Sequence, residues 1–175
     1  MNDPRNGKPD DINLSVEGSV TRLKIIGRIG VSILLSLLLA WAVLFLSYFG
    51  NVLWKQFKGE RNVSHFLKAV QQQHYDEAVS RFGEPLNKES LKQLQPFRLV
   101  KYGRINADFD DGCVCSGHAE LTFQAKGAPI TVPALFTLRE GNKPGQICAL
   151  MTKEQRASMP QLAQWNIVVC GSDSF

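Results

Sequence analysis

Cys113 and Cys115 stand one residue apart in the stretch Cys113-Val114-Cys115-Ser116-Gly117-His118. On a strand, where side chains alternate sides, that spacing turns both thiols to one face. Such a pair can grip a soft metal, Cu(I) or Zn(II), or pass between dithiol and disulfide. The next available ligands are His118 and Cys148, but alternation sends His118 to the opposite face unless the strand bulges at Gly117. Leu121 and Phe123 share the parity of the two cysteines, which marks that face for packing. Structural disulfides are therefore the expected state of Cys113, Cys115, Cys148 and Cys170. A bond between Cys113 and Cys115 themselves would be strained, so each is expected to reach a neighbouring element. Four cysteines allow three pairings, and spacing does not choose among them.

No other group of residues makes a site. His65 and His74 fall in a helical stretch and His118 on a solvent-facing strand position, so no histidine cluster forms. Asp108, Asp110, Asp111 and Glu120 read as turn and strand-surface residues, without the oxygen-ligand spacing of a calcium loop. Asn62-Val63-Ser64 matches a glycosylation sequon, a pattern frequent by chance. There is no phosphate-cradling glycine loop, zinc-protease helix or nucleophile elbow, so neither enzymatic activity nor a cofactor is expected. The net charge is +4, with no run of basic residues, which gives no support to nucleic-acid binding.

The elements that would position the cysteines follow a membrane segment. Residues 29–49, IGVSILLSLLLAWAVLFLSYF, contain no charge and no proline. As a helix they would reach roughly 31 Å, the thickness of a bilayer's hydrocarbon core. The run is apolar on every side, unlike the striped helix of a soluble core. Arg28 bounds it before, and Tyr48, Trp54 and Lys55 bound it after, where amphipathic side chains favour headgroup depth. Ala40-Trp41-Ala42 has the form of a signal-peptidase site, but the apolar run continues past it, so a retained signal anchor is expected. Flanking charge does not orient the span: Arg22, Lys24 and Arg28 precede it, and Lys55, Lys58 and Arg61 follow. The four cysteines all lie after it, which favours an oxidising compartment for the C-terminal side and a cytoplasmic tail.

Four segments result: a disordered cytoplasmic tail over 1–28, the transmembrane helix over 29–49, a juxtamembrane linker over 50–61, and an extracytoplasmic domain over 62–175. In that domain Val63, Phe66, Leu67 and Val70 recur at helical spacing, and Tyr75, Ala78, Val79 and Phe82 repeat the pattern. Gln71-Gln72-Gln73-His74 lies between, giving one long helix or two joined at a bend. Gly83 and Pro85 stop this block, and Asn87 can cap a short helix carrying Leu91 and Leu94. Strands follow from Phe97, with a turn at Asp110-Asp111-Gly112, a second strand from Cys113, a turn near Lys126-Gly127, and a third over Ile130 to Leu138. A fourth strand is expected over 146–151, a capped helix from Thr152 to before Pro160, and a last strand over Trp165 to Cys170. The fold class is α+β: helices packed on one face of an antiparallel sheet of four to five strands.

The stretch Phe66–Leu94, FLKAVQQQHYDEAVSRFGEPLNKESLKQL, followed by long strands, resembles the NTF2-like (cystatin-like) superfamily, in particular its membrane-anchored bacterial members. That resemblance implies a binding or oligomerising module; the acid–base pair of the superfamily's enzymes has no counterpart at the inward positions here. Phe82–Pro85 and HAELTFQAKGAPITVPALF are also similar to single-span cytochrome oxidase assembly factors. HYDEAVSRF looks like part of a tetratricopeptide helix, but no second copy exists to stack on it. The function expected is a membrane-tethered binding or assembly domain, held in the bilayer by 29–49 and facing the outer side of a bacterial inner membrane. Its partner would be a protein or a second copy; Gly30, Ser32, Ser36 and Ala40 offer a small-residue face in the span. The alternative is a thiol-redox or copper-handling assembly factor using Cys113 and Cys115.

Overall fold

The structure is a computed structural model that describes residues 14–95, 98–124 and 128–172. The expected turn at Lys126-Gly127 and the first 13 residues of the tail lie outside the described residues. The chain divides into two compact units, one ending at Tyr48 and one beginning at Phe49.

Helix α1 (Leu14–Gln71), which begins in the first unit and ends in the second, already runs from Leu14, where composition led to an expectation of disorder up to residue 28. The reason is cooperative: once the apolar run nucleates a helix, each added residue gains a hydrogen bond, and 14–28 contain no proline to stop it. Large apolar side chains from Val31 to Phe49 are 46 to 72% exposed. Among the described residues this is the one helix long and apolar enough to cross a membrane. Ser36 donates its hydroxyl to the Ser32 carbonyl one turn back (2.9 Å), satisfying the side chain within its own helix.

The second unit is an α+β domain. The segment 50–61, expected as a linker, is helix, and its residues are engaged with the domain. Val52 packs against the core, and a side chain at Gly59 would collide with Leu138. The helix ends at the polar Gln71–His74 segment. Gln73 takes the left-handed conformation (φ 61°), its N–H bonds the Val70 carbonyl, and the His74 N–H bonds that of Ala69. These are the paired bonds that close a Schellman cap, with glutamine in the place glycine usually takes. Helices α2 (Tyr75–Arg81) and α3 (Lys88–Lys92) follow, and Asn87 Oδ1 caps the latter as expected.

Strands β1 (Arg98–Asp110), β2 (Cys113–Gln124), β3 (Pro129–Leu138) and β4 (Pro144–Ala149) form one antiparallel meander in sequence order. Asp111 (φ 47°) and Gly112 (φ 81°) make the tight β1–β2 turn, both in the conformation a two-residue hairpin loop demands. Val63, Phe66, Leu67 and Val70 of α1 join the core lined by Ala119, Leu121, Phe123, Val132, Ala134 and Phe136 of the sheet. Phe66 stacks on Phe82 (4.9 Å between centroids), and Phe123 meets Trp165 edge to face (5.1 Å).

One expected strand is absent. Helix α4 (Lys153–Ser158) opens with the Thr152–Gln155 capping box, α5 (Pro160–Trp165) follows, and Asn166–Cys170 continue as a π-helical turn. The sheet therefore has four strands, and 165–170 are helical where an apolar run had read as a fifth. This segment packs along β4 nonetheless. The buried Asn166 accepts from the Ala149 N–H and donates to the Ala149 carbonyl, both at 2.8 Å, and Trp165 Nε1 donates to the Ile147 carbonyl (3.0 Å). The asparagine amide supplies the donor and acceptor that a neighbouring strand's peptide group would have supplied, and apolar Val169 and Leu162 remain free to enter the core.

Candidate functional site

The β1–β2 ladder contains three register shifts, and the one beside the hairpin turn decides where the cysteines point. Asp108 pairs with Ser116, but Phe109 pairs with Val114, so Cys115 is an extra residue in β2. A bulge of this kind re-aims the side chains beyond it. Gly117, Ala119, Leu121 and Phe123 face the core, but past the bulge it is Val114 that is buried. Cys115 is exposed and Cys113 half-buried. The expectation that both thiols lie on the packing face of Leu121 and Phe123 is thus corrected. The bulge is at Cys115 and not at Gly117, and it reverses parity for the two residues that mattered.

The pairing differs as well. Cys113 bonds Cys115, and Cys148 bonds Cys170. Neither cysteine of the close pair reaches a neighbouring element, because the bulge leaves them at the rim with no third cysteine in reach. All four expected disulfide cysteines are paired. In this oxidised state the two sulfurs of the candidate metal pair are bonded to each other and offer no thiolate. Among the described residues no three of His, Cys, Asp and Glu converge as ligands. Cys148 and Cys170 are 5% and 1% exposed, and their bond joins β4 to the end of the π-helical turn.

His118 is on the exposed face of the sheet, as alternation required, with Nδ1 3.3 Å from Asp108 Oδ2. Asp108 also accepts from Asn106 Nδ2 (2.9 Å). Arg104, at a second bulge, pairs with Glu120 (2.7 Å). These are solvent-facing ladders along neighbouring strands, the cross-strand pairing that stabilises a polar sheet face. His65 meets Arg61 and His74 lies near Glu77, so the three histidines remain apart. Gly117 has its own constraint: a Cβ there would run into the Asn106 carbonyl and the Phe136 ring. Here β1 and the core approach β2 too closely for any side chain.

One small space lies on the inner side of the sheet. Beneath Val70, Tyr75, Leu94, Leu99 and Trp165 the space is about 10 Å³, enough for one water. Burial there raises the Tyr75 phenol's pKa, opposed by nearby Arg98. Sequence reasoning found the cysteines and missed Asn166, whose role depends on an edge strand 17 residues away. A lone asparagine inside an apolar run was the available signal. No known family, curated protein or solved structure matches the chain.

Proposed function

We propose that this protein is a single-pass membrane protein with residues 29–49 in the bilayer, a cytoplasmic N-terminus, and the disulfide-bonded domain on the extracytoplasmic side. The membrane in this reading is a bacterial inner membrane and the domain faces the periplasm. The domain serves as a non-enzymatic binding or assembly module for a protein partner or a second copy. The observation that carries the reading is a division of chemistry along the chain. Most of the exposed large apolar side chains lie along α1, and every cysteine lies in the second unit, oxidised. Apolar surface of that extent calls for lipid or another protein, and paired cysteines belong to an oxidising compartment. The NTF2-like resemblance contributes the binding role.

Alkaline phosphatase fused after Lys58 tests the orientation. Active phosphatase is expected, together with a dark cytosolic fluorescent reporter at the same site. The reverse pair of results would sink the topology and the compartment argument with it.

The exposure of Cys115 supports a second reading, thiol exchange. A thiolate of a partner protein's dithiol would attack one sulfur of the Cys113–Cys115 bond and release the other as a thiolate. The partner's second thiol would then resolve the mixed disulfide, leaving the partner oxidised and this pair reduced by two electrons. Mild dithiothreitol should free Cys113 and Cys115 before Cys148 and Cys170 if the reading holds. Copper loading follows only from that reduced form, so Cu(I) titration of reduced and oxidised protein separates carriage from exchange.

A further inference from the structure

A cleft of about 480 Å³ opens between α1, the end of α2 and the turn joining β3 to β4. Its walls are Lys58, Asn62, Ser80, Arg81, Gly141 and Lys143, so every charged side chain lining it is positive. The turn is fixed in place by Asn62, which donates to the Gly141 (3.2 Å) and Asn142 (2.9 Å) carbonyls. Lys143 Nζ is tied to the Ser80 carbonyl (3.0 Å) at the end of α2. Arg81 pairs with Glu77 (2.7 Å), one turn back on α2. The Arg81 hydrogen bond holds the Glu77 carboxyl below its usual range, so Glu77 remains ionised and offsets one of the three cations. Lys58 and Lys143 form no ion pair among the described residues. The cleft therefore presents two ammonium groups without an ion-pair partner among the described residues, beside an arginine whose charge Glu77 offsets.

A second feature says what kind of anion it meets. Leu53, Trp54 and Phe57 on α1 are 64, 65 and 55% exposed, with the Trp54 and Phe57 rings 6.2 Å apart. Trp54, Lys58 and Asn62 recur every fourth residue, so they lie on one face of the helix, which leads from the aromatic pair into the cleft. Exposed aromatic rings followed within one turn by lysine match the residue chemistry of a membrane's headgroup layer. Trp54, the ring suited to headgroup depth, precedes Lys58 by four helical residues, about 6 Å of rise.

We propose that this cleft seats the phosphate of an anionic phospholipid headgroup, held by Lys58, Lys143 and Arg81. The proposal rests on the reading that 29–49 lie in the bilayer, so the test begins there. Full-length protein in membranes is extracted with alkaline carbonate; release into the supernatant would defeat the anchor itself, whatever the cleft does. Protein that stays is reconstituted in phosphatidylcholine nanodiscs with or without phosphatidylglycerol, and retained lipid is counted by native mass spectrometry. Preferential retention of phosphatidylglycerol is expected, falling as salt rises. Lys58→Ala with Lys143→Ala should reduce that preference about tenfold or more. If the double variant does not fold, Lys58→Ala alone carries the test, since its side chain makes no hydrogen bond or ion pair among the described residues. A parent without preference, or a folded variant with the parent's preference, would overturn the site. Retention of glycerol phosphate by the parent in the same spectra, without any lipid preference, would assign the cleft to a soluble phosphate and overturn the lipid.

Discussion

The two disulfides sit in opposite circumstances. Cys148–Cys170 is buried, ties β4 to the C-terminal turn, and closes a loop with a sequence separation of 22. Cys113–Cys115 lies at an exposed bulge and closes a loop with a separation of 2. Loop-closure entropy scales with the logarithm of loop length, giving about 3.4 kcal/mol for the first and about 1.6 for the second. The longer bridge also has an ally: Asn166, four residues before Cys170, satisfies both backbone groups of Ala149, the residue after Cys148. One bridge is part of the fold's construction. The other leaves the core almost untouched and is open to reagents, which is what a reactive pair requires.

The sharpest test of that contrast is Asn166→Leu. It leaves the Ala149 N–H and carbonyl without partners at a buried edge, each about 1 to 3 kcal/mol, so a loss of about 2 to 6 is expected. Urea unfolding of the full chain in detergent, followed by the fluorescence of buried Trp165, measures it. Loss of the buried bridge, through Cys148→Ala with Cys170→Ala, should lower stability by about 3 kcal/mol in the same assay. Cys113→Ser with Cys115→Ser should lower it by under about 2 kcal/mol. If the exposed pair proves as destabilising as the buried one, the contrast is lost, and with it the case for exchange at Cys113–Cys115.

Much of this was legible in the sequence where local chemistry governs. The Asn87 cap, the Thr152–Gln155 capping box, the Asp111-Gly112 turn and the inward row of β3 each depend on neighbours a few residues away. The parity of Cys113 and Cys115 was misread because a bulge is a property of two strands. Nothing in Val114-Cys115-Ser116 alone announces that Phe109 will pair with Val114. Trp165–Cys170 was misread for the same reason: an apolar run of six residues suits a buried strand or a buried helical turn equally, and only the edge of β4 decides. The basic cleft brings Lys58, Arg81 and Lys143 together from three elements, with no shared pattern along the chain.

The amides laid along β4 have a counterpart on the far side of the sheet. Gln56 donates to the Ala107 carbonyl (2.9 Å), Glu60 accepts from the Ala107 N–H (3.1 Å), and Gln71 donates to the Val100 carbonyl (2.6 Å). A foreign extended peptide seeking to lengthen this sheet would have to evict Gln56, Glu60 and Gln71 at β1, or Asn166 and Trp165 at β4. Unguarded outer strands are the usual entry point for fibrillar growth and for capture of misfolded neighbours. On the proposed reading that 29–49 lie in the bilayer, the high local density a membrane imposes would raise that hazard. With side chains bonded to these backbone groups at both margins, an association through the broad faces of the domain or through α1 would depend on side-chain identity, and a mismatched chain would find fewer open backbone groups to join.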